Sequence, residues 1–191
     1  MTKLSIELSE NNVGCYVETD LKNINDVEIQ EIKKLLNKYA VLFFKEQNLS
    51  PEEYMSFASQ FGQPAKYPML KPHKDFKDIY VIERKKSDKG LSFGEGAHLD
   101  SVYMNNPPRF TFLQAIDVPE EGKGNTLFYN QFLAYEALPN KIKSKIENLK
   151  GIFSSKGKIA KSRTLREAEH GTSNTKEIKS EHKLVQTIDG R

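Results

Sequence analysis

Gly94-Glu-Gly-Ala-His98-Leu-Asp100-Ser-Val-Tyr-Met-Asn-Asn-Pro107-Pro108 sets an imidazole and a carboxylate two residues apart, between a glycine-rich run and a pair of prolines. On an extended segment the side chains of residues i and i+2 leave the same face, so His98 and Asp100 can converge on one ion. A histidine and a carboxylate so placed supply two donors of the two-His-one-carboxylate face that holds non-haem Fe(II) and leaves positions open for co-substrate and O2. The remaining donor would be a second, distant histidine, and the chain offers no good candidate for it. The tripeptide alone also fits a structural histidine satisfied by its neighbours. His73-Lys74-Asp75 has the same spacing, yet it sits in a proline-rich loop beside a lysine cluster and reads as a solvated surface histidine.

The flanking sequence places this segment on a strand. Upstream, Asn25 and Asp26 are N-cap residues, and Ile29, Ile32, Leu35, Leu36 and Tyr39 recur at helical spacing, which predicts a helix over residues 26 to 38. Ala40-Val-Leu-Phe-Phe44 is the continuous apolar run of a strand buried on both faces. Ser50-Pro51-Glu52-Glu53 is a capping box with Pro at the first helical position, followed by the stripe Tyr54, Phe57, Ala58 and Phe61 and a stop at Gly62. Prolines 64, 68 and 72 make residues 63 to 77 a loop, residues 79 to 82 read as a strand, and residues 85 to 96 as a hairpin or rim leading into the His98 strand. Downstream, strands are expected over 110 to 116 and 125 to 129, separated by a turn at 120 to 124, and helices over 131 to 138 and 141 to 149. Residues 156 to 180 form a long polar stretch, residues 183 to 188 a last strand, and Asp189-Gly190 a hairpin turn that expects a return strand.

A chain of 191 residues is long enough for one domain with a core, and its 37% hydrophobic content includes no run of the length a membrane-spanning helix needs. The N-terminus alternates apolar and polar residues and reads as no signal peptide, so a cytoplasmic protein is expected. A single cysteine, Cys15, excludes an internal disulfide and a cysteine-based zinc cluster, and reads as a small core side chain. The net charge of +3 arises from 29 basic and 26 acidic residues that are intermixed, so charge gives no indication of nucleic-acid binding. The lysines from 141 to 183 read as a solvated helix face and loop, with a basic docking patch as the alternative.

The metal segment resembles that of the taurine dioxygenase-like (TauD/TfdA) family, whose pattern is W-H-x-D followed shortly by N-P-P. Further matches follow in order along the chain. Val41 to Glu52 with Phe57-Ala-Ser-Gln-Phe61-Gly62 resembles the family's opening, and Val118 to Thr126 its "VPxxGGDT" turn. Ala134-Tyr-Glu-Ala-Leu-Pro139 resembles its "AYEALP" helix, and Glu181 to Arg191 its "HPVVRTHPxTGR" strand and turn. The usual tryptophan before the first ligand is Ala97 here.

The resemblance implies a mixed α+β, mainly β fold: a double-stranded β-helix (cupin-like jelly roll) with flanking helices, here as one incomplete domain over residues 1 to 191 without its C-terminal strands. It implies His98 and Asp100 as Fe(II) ligands and Thr126 as the residue that hydrogen-bonds the carboxylate of 2-oxoglutarate. The family's second histidine and its 2-oxoglutarate arginine lie beyond the "TGR" turn; His170, His182, Arg163, Arg166 and Arg191 match neither. The implied activity is hydroxylation of a small organic acid, a sulfonate or aryloxyalkanoate, by O2 with decarboxylation of 2-oxoglutarate to succinate and CO2. Nucleic acid and membrane are not implied as partners, and a homo-oligomer is compatible. Tyr67, Phe93 and Tyr103 are candidates to border the pocket or, equally, to pack in the core. The alternative reading is a non-catalytic remnant acting as a binding module. The chain alone is accordingly expected to give no turnover and, with sheet edges uncovered, to be poorly soluble.

Overall fold

Asn25 starts the first long helix, α1 (Asp26–Tyr39), by accepting from the backbone N–H groups of Val27 and Glu28 at 3.0 and 3.1 Å while the Glu28 carboxylate accepts from the Asn25 N–H at 3.0 Å. This reciprocal box satisfies N–H groups that have no partner within the helix. The computed structural model describes residues 4–11, 13–67, 70–88, 94, 96–120, 122–156 and 176–190. They group into two compact units, Met1–Gln60 with Leu113–Glu147 and Val185–Arg191, and Phe61–Phe112 with Asn148–Leu184.

In the first unit β1 (Ser5–Leu8) pairs antiparallel with β2 (Cys15–Glu18), and α1 carries the chain to β3 (Leu42–Phe43), which lies parallel to β2 with Cys15 opposite Leu42. Cys15 and Val17 are buried, as the alternation of a strand demands, and so are Ile29 and Ile32 on α1. α2 (Pro51–Ser59) has the expected Ser50 capping box and stacks Phe57 edge-on against Phe44 at 6.1 Å. Gln47 ties this end of the unit together, accepting from the Leu21 N–H and donating to the Thr19 carbonyl. α3 (Gln131–Glu136) and α4 (Asn140–Ile146) are shorter than expected: the first stops before Pro139, and the second before the next strand.

The second unit is built on a hairpin, β4 (Lys150–Ser154) against β5 (Lys179–Lys183), with Gly151 opposite His182 and Phe153 opposite Ser180. Phe61 packs edge-on against Phe110 and Phe112 at 5.7 and 5.1 Å, and Leu70 and Tyr103 are buried.

Several expected strands are corrected here. Residues 79 to 82 make only an isolated bridge, Tyr80 to Pro72, and residues 110 to 116 and 125 to 129 lie outside any strand among the described residues. The strand expected at 40 to 44 is cut to two residues: Ala40 takes φ of 66°, outside the β region, and only Leu42 and Phe43 have partners on β2. The last strand runs over 179 to 183 and not 183 to 188, although Lys-Ser-Glu-His-Lys has no apolar residue; its partner β4 determines it, a case of tertiary pairing outweighing propensity. Asp189 and Gly190 do form the expected turn, with φ of 50° and 82°.

Candidate metal centre

A turn, and not the pleat of a strand, brings His98 and Asp100 together. Residues 98 and 99 are irregular and residues 100 to 103 form a turn, closed by the Met104 N–H donating to the Ser101 carbonyl at 2.9 Å. Ser101 is buried and holds the left-handed φ of 52°. The outcome is the convergence expected from an extended segment, reached by another route: His98 Nε2 stands 3.3 Å from Asp100 Oδ1.

Each donor is aimed by a second contact on its far side. His98 Nδ1–H donates to the Gly96 carbonyl at 2.9 Å, which keeps a proton on Nδ1 and makes Nε2, the nitrogen that faces Asp100, the one that could bind an ion. Gly96 has φ of 85°, a backbone conformation that suits glycine. The Thr111 hydroxyl donates to Asp100 Oδ2 at 3.0 Å, leaving Oδ1 for the shared position. Two donors at right angles on a first-row divalent ion, with bonds of about 2.1 Å, lie about 3 Å apart. The observed pair fits that edge, and its donor set of one imidazole nitrogen and one carboxylate oxygen suits Fe(II), Mn(II) or Co(II). Their side chains are 47% and 50% exposed, so an ion there would be open to solvent. Among the described residues no group of three or more His, Cys, Asp and Glu could hold a metal.

The other histidines are accounted for differently. His182 is half-buried on β5, and its Nε2–H is shared between the Met104 carbonyl and the Ser180 hydroxyl oxygen, each at 2.8 Å, so this nitrogen is a donor and no ligand. His73 is not the solvated side chain expected: it is half-buried against Phe76, and its Nδ1 accepts from the N–H groups of Asp75 and Phe76 at 3.2 and 3.3 Å, capping a turn. His170, Arg163, Arg166, Arg191 and Phe93 lie outside the described residues. Tyr103 is buried and Tyr67 is half-buried against Tyr80 at 6.1 Å. Thr126 belongs to the first unit, exposed on the segment between Gly124 and the Asn130 cap of α3.

Thr111 and Ser180 were not among the expected site residues. Thr111 is separated from Asp100 by 11 positions and a Pro-Pro turn, so only a return of the chain over that turn could have pointed to it. Ser180 and His182 share a strand face by their spacing, but nothing in the sequence says what that face meets.

Known proteins resemble this chain in sequence and in fold. The chain is 30% identical over 156 residues to an alkylsulfatase of Acinetobacter baylyi, covering 81% of this chain and 46% of that protein. It is 28% identical over 149 residues to the alpha-ketoglutarate-dependent 2,4-dichlorophenoxyacetate dioxygenase of Cupriavidus pinatubonensis, covering 70% and 52%. The crystal structure of AAD-2 in complex with Mn(II) and N-oxalylglycine superposes with a TM-score of 0.65 at 23% identity, over 97% of this chain and 65% of that one. The chain thus spans about half the length of the curated relatives it matches. The structural likeness shows the expected fold, the cupin-like jelly roll with flanking helices. Residues 12–191 match the family described as "Taurine catabolism dioxygenase TauD, TfdA family". With that match running through both units and across the His98 turn, the chain belongs to the TauD/TfdA family.

Proposed function

We propose that this chain carries part of the active site of an Fe(II)- and 2-oxoglutarate-dependent dioxygenase that hydroxylates a small organic acid of the sulfonate or aryloxyalkanoate type. The observation that carries the reading is the 3.3 Å approach of His98 Nε2 to Asp100 Oδ1, each held from behind by a separate hydrogen bond. The name of one relative, a 2,4-dichlorophenoxyacetate dioxygenase, supports the aryloxyalkanoate class, and the Mn(II) and N-oxalylglycine of the AAD-2 complex support the cofactor pair.

In this reading His98 and Asp100 would hold the ion, and Thr126 would hydrogen-bond the carboxylate of 2-oxoglutarate. Fe(II) held there would supply the activation of O2 that couples decarboxylation of 2-oxoglutarate to succinate and CO2 with hydroxylation of a substrate C–H bond. The protein's own work is orientation. Gly96 fixes the imidazole tautomer, and Thr111 selects which carboxylate oxygen faces the ion.

The test is succinate formation with Fe(II), O2, 2-oxoglutarate and a panel of sulfonates and aryloxyalkanoates, run beside His98→Ala and Asp100→Ala. Succinate that depends on both residues and rises with one class of acid supports the dioxygenase. Metal binding that depends on both residues without succinate supports the second reading, a binding module that keeps the fold. Metal binding indifferent to both substitutions overturns the assignment of the site.

A further inference from the structure

Val102 and Met104, two and four residues after Asp100, each give their carbonyl oxygen to a side chain of β5. The Ser180 hydroxyl donates to the Val102 carbonyl at 2.8 Å, and His182 Nε2–H donates to the Met104 carbonyl at 2.8 Å. The same Nε2–H also approaches Ser180 Oγ at 2.8 Å, so the two contacts form one linked unit. Ser180, Ser101 and Tyr103 are all less than a tenth exposed, and hydrogen bonds in such a place compete little with water. β5 is itself fixed, paired with β4 over five residues from Lys179 to Lys183.

The segment held in this way contains a strained residue. Ser101, with φ of 52°, occupies a region that non-glycine residues keep only where their surroundings impose it. Release of the Val102 and Met104 carbonyls would let Ser101 return to negative φ. That rotation swings the preceding residue, Asp100, and with it the oxygen that faces His98. We infer that Ser180 and His182 are positioning residues for the metal centre: by clamping the Val102 and Met104 carbonyls they fix the turn that aims Asp100. This rests on the reading of His98 and Asp100 as metal donors. Neither clamp residue touches the ion.

The test is Mn(II) titration of the full chain, read by the electron paramagnetic resonance signal of free Mn(II), with thermal unfolding followed on the same samples. His182→Leu and Ser180→Ala are expected to weaken Mn(II) binding about tenfold or more, the range for residues that orient metal ligands. His182→Gln, which keeps an N–H donor at a similar reach, is expected to stay within about threefold of the parent chain. The double variant Ser180→Ala/His182→Leu is expected to lose little beyond the worse single variant, because the two share one unit. Unchanged Mn(II) affinity in Ser180→Ala and His182→Leu, whatever their melting temperatures, overturns the clamp and leaves the pair a packing feature. An equal loss in His182→Gln and His182→Leu does so too, since the donor would then be irrelevant. His98→Ala is the separate control: if it binds Mn(II) as the parent does, the metal centre is misassigned, an outcome distinct from failure of the clamp. Should His182→Leu not fold, Ser180→Ala and His182→Gln decide between these outcomes.

Discussion

Thr111 donates its hydroxyl to Oδ2 of Asp100 at 3.0 Å, and the other oxygen of that carboxylate is the one that lies 3.3 Å from His98 Nε2. A carboxylate free to rotate offers either oxygen to a cation. One bound from behind offers a single oxygen and loses less freedom when the cation arrives.

Thr111→Val keeps the shape of the side chain and removes the donor. Mn(II) affinity is expected to fall about tenfold, with Thr111→Ser close to the parent chain. Because Thr111 is exposed, unfolding free energy should change by no more than about 0.5 kcal/mol. Parallel metal titration and urea denaturation separate the two effects. A stability loss without an affinity loss would show that the hydroxyl serves the fold alone.

Gly14 predicts a larger structural effect. Its φ is 90°, and a Cβ there would lie 2.9 Å from both the Val41 carbonyl oxygen and a Phe43 ring carbon. The Val41 oxygen cannot retreat, since it accepts the Cys15 N–H at 3.1 Å where β2 meets β3. Backbone strain and crowding therefore add in Gly14→Ala, which is expected to cost about 2 to 4 kcal/mol. Urea denaturation measures it, and a change under about 1 kcal/mol would mean that the hairpin can rearrange around the methyl group.

What the sequence made legible depended on how local the determinant was. Both long helices were readable because their caps are local chemistry: Asn25 and the Ser50–Glu53 box stand just before periodic apolar stripes, and the structure shows the expected box closed and a second one, Asn25 with Glu28, that was not expected. The burial of Cys15 was readable for a similar reason, as a small apolar residue between Val13 and Tyr16. Strands fared worse, because a strand exists only where a partner lies beside it. β5 carries no apolar residue and still pairs, whereas the apolar residues 79 to 82 form a single bridge. At the site, the spacing of His98 and Asp100 identified the pair but not the turn that joins them. That turn depends on Ser101 at positive φ and on side chains from β5, neither of which a short motif records.

The first capping box offers a direct check on α1. Asn25 accepts two backbone N–H groups, so Asn25→Ala leaves both without a protein partner at an exposed helix start. The expected cost is about 1 kcal/mol. For a chain of this size that corresponds to a fall in melting temperature of about 2 to 4 °C. Asn25→Ser should recover most of the loss, as its hydroxyl can accept in the same place. Equal losses in the two variants would argue against side-chain capping as the cause.

Burial of Cys15 makes its ionisation the most direct pH probe of the first unit. The residue is fully buried, and loss of solvation pushes its thiol above the ordinary value of 9.0, opposed in part by the positive charge of Lys38. The thiolate is the reactive form, so the folded chain should resist a thiol reagent at neutral pH, while the urea-unfolded chain reacts in full. The sign of the linkage follows from the same shift. With the folded value raised, the native state holds the proton more tightly than the unfolded chain. The stabilisation this provides is therefore complete below about pH 9 and is lost as pH rises through the folded value. Cys15→Ala should flatten the alkaline decline in unfolding free energy near that range. Rapid labelling of the native chain at pH 7, at the rate of the unfolded one, would show that β2 opens far more readily than its burial implies.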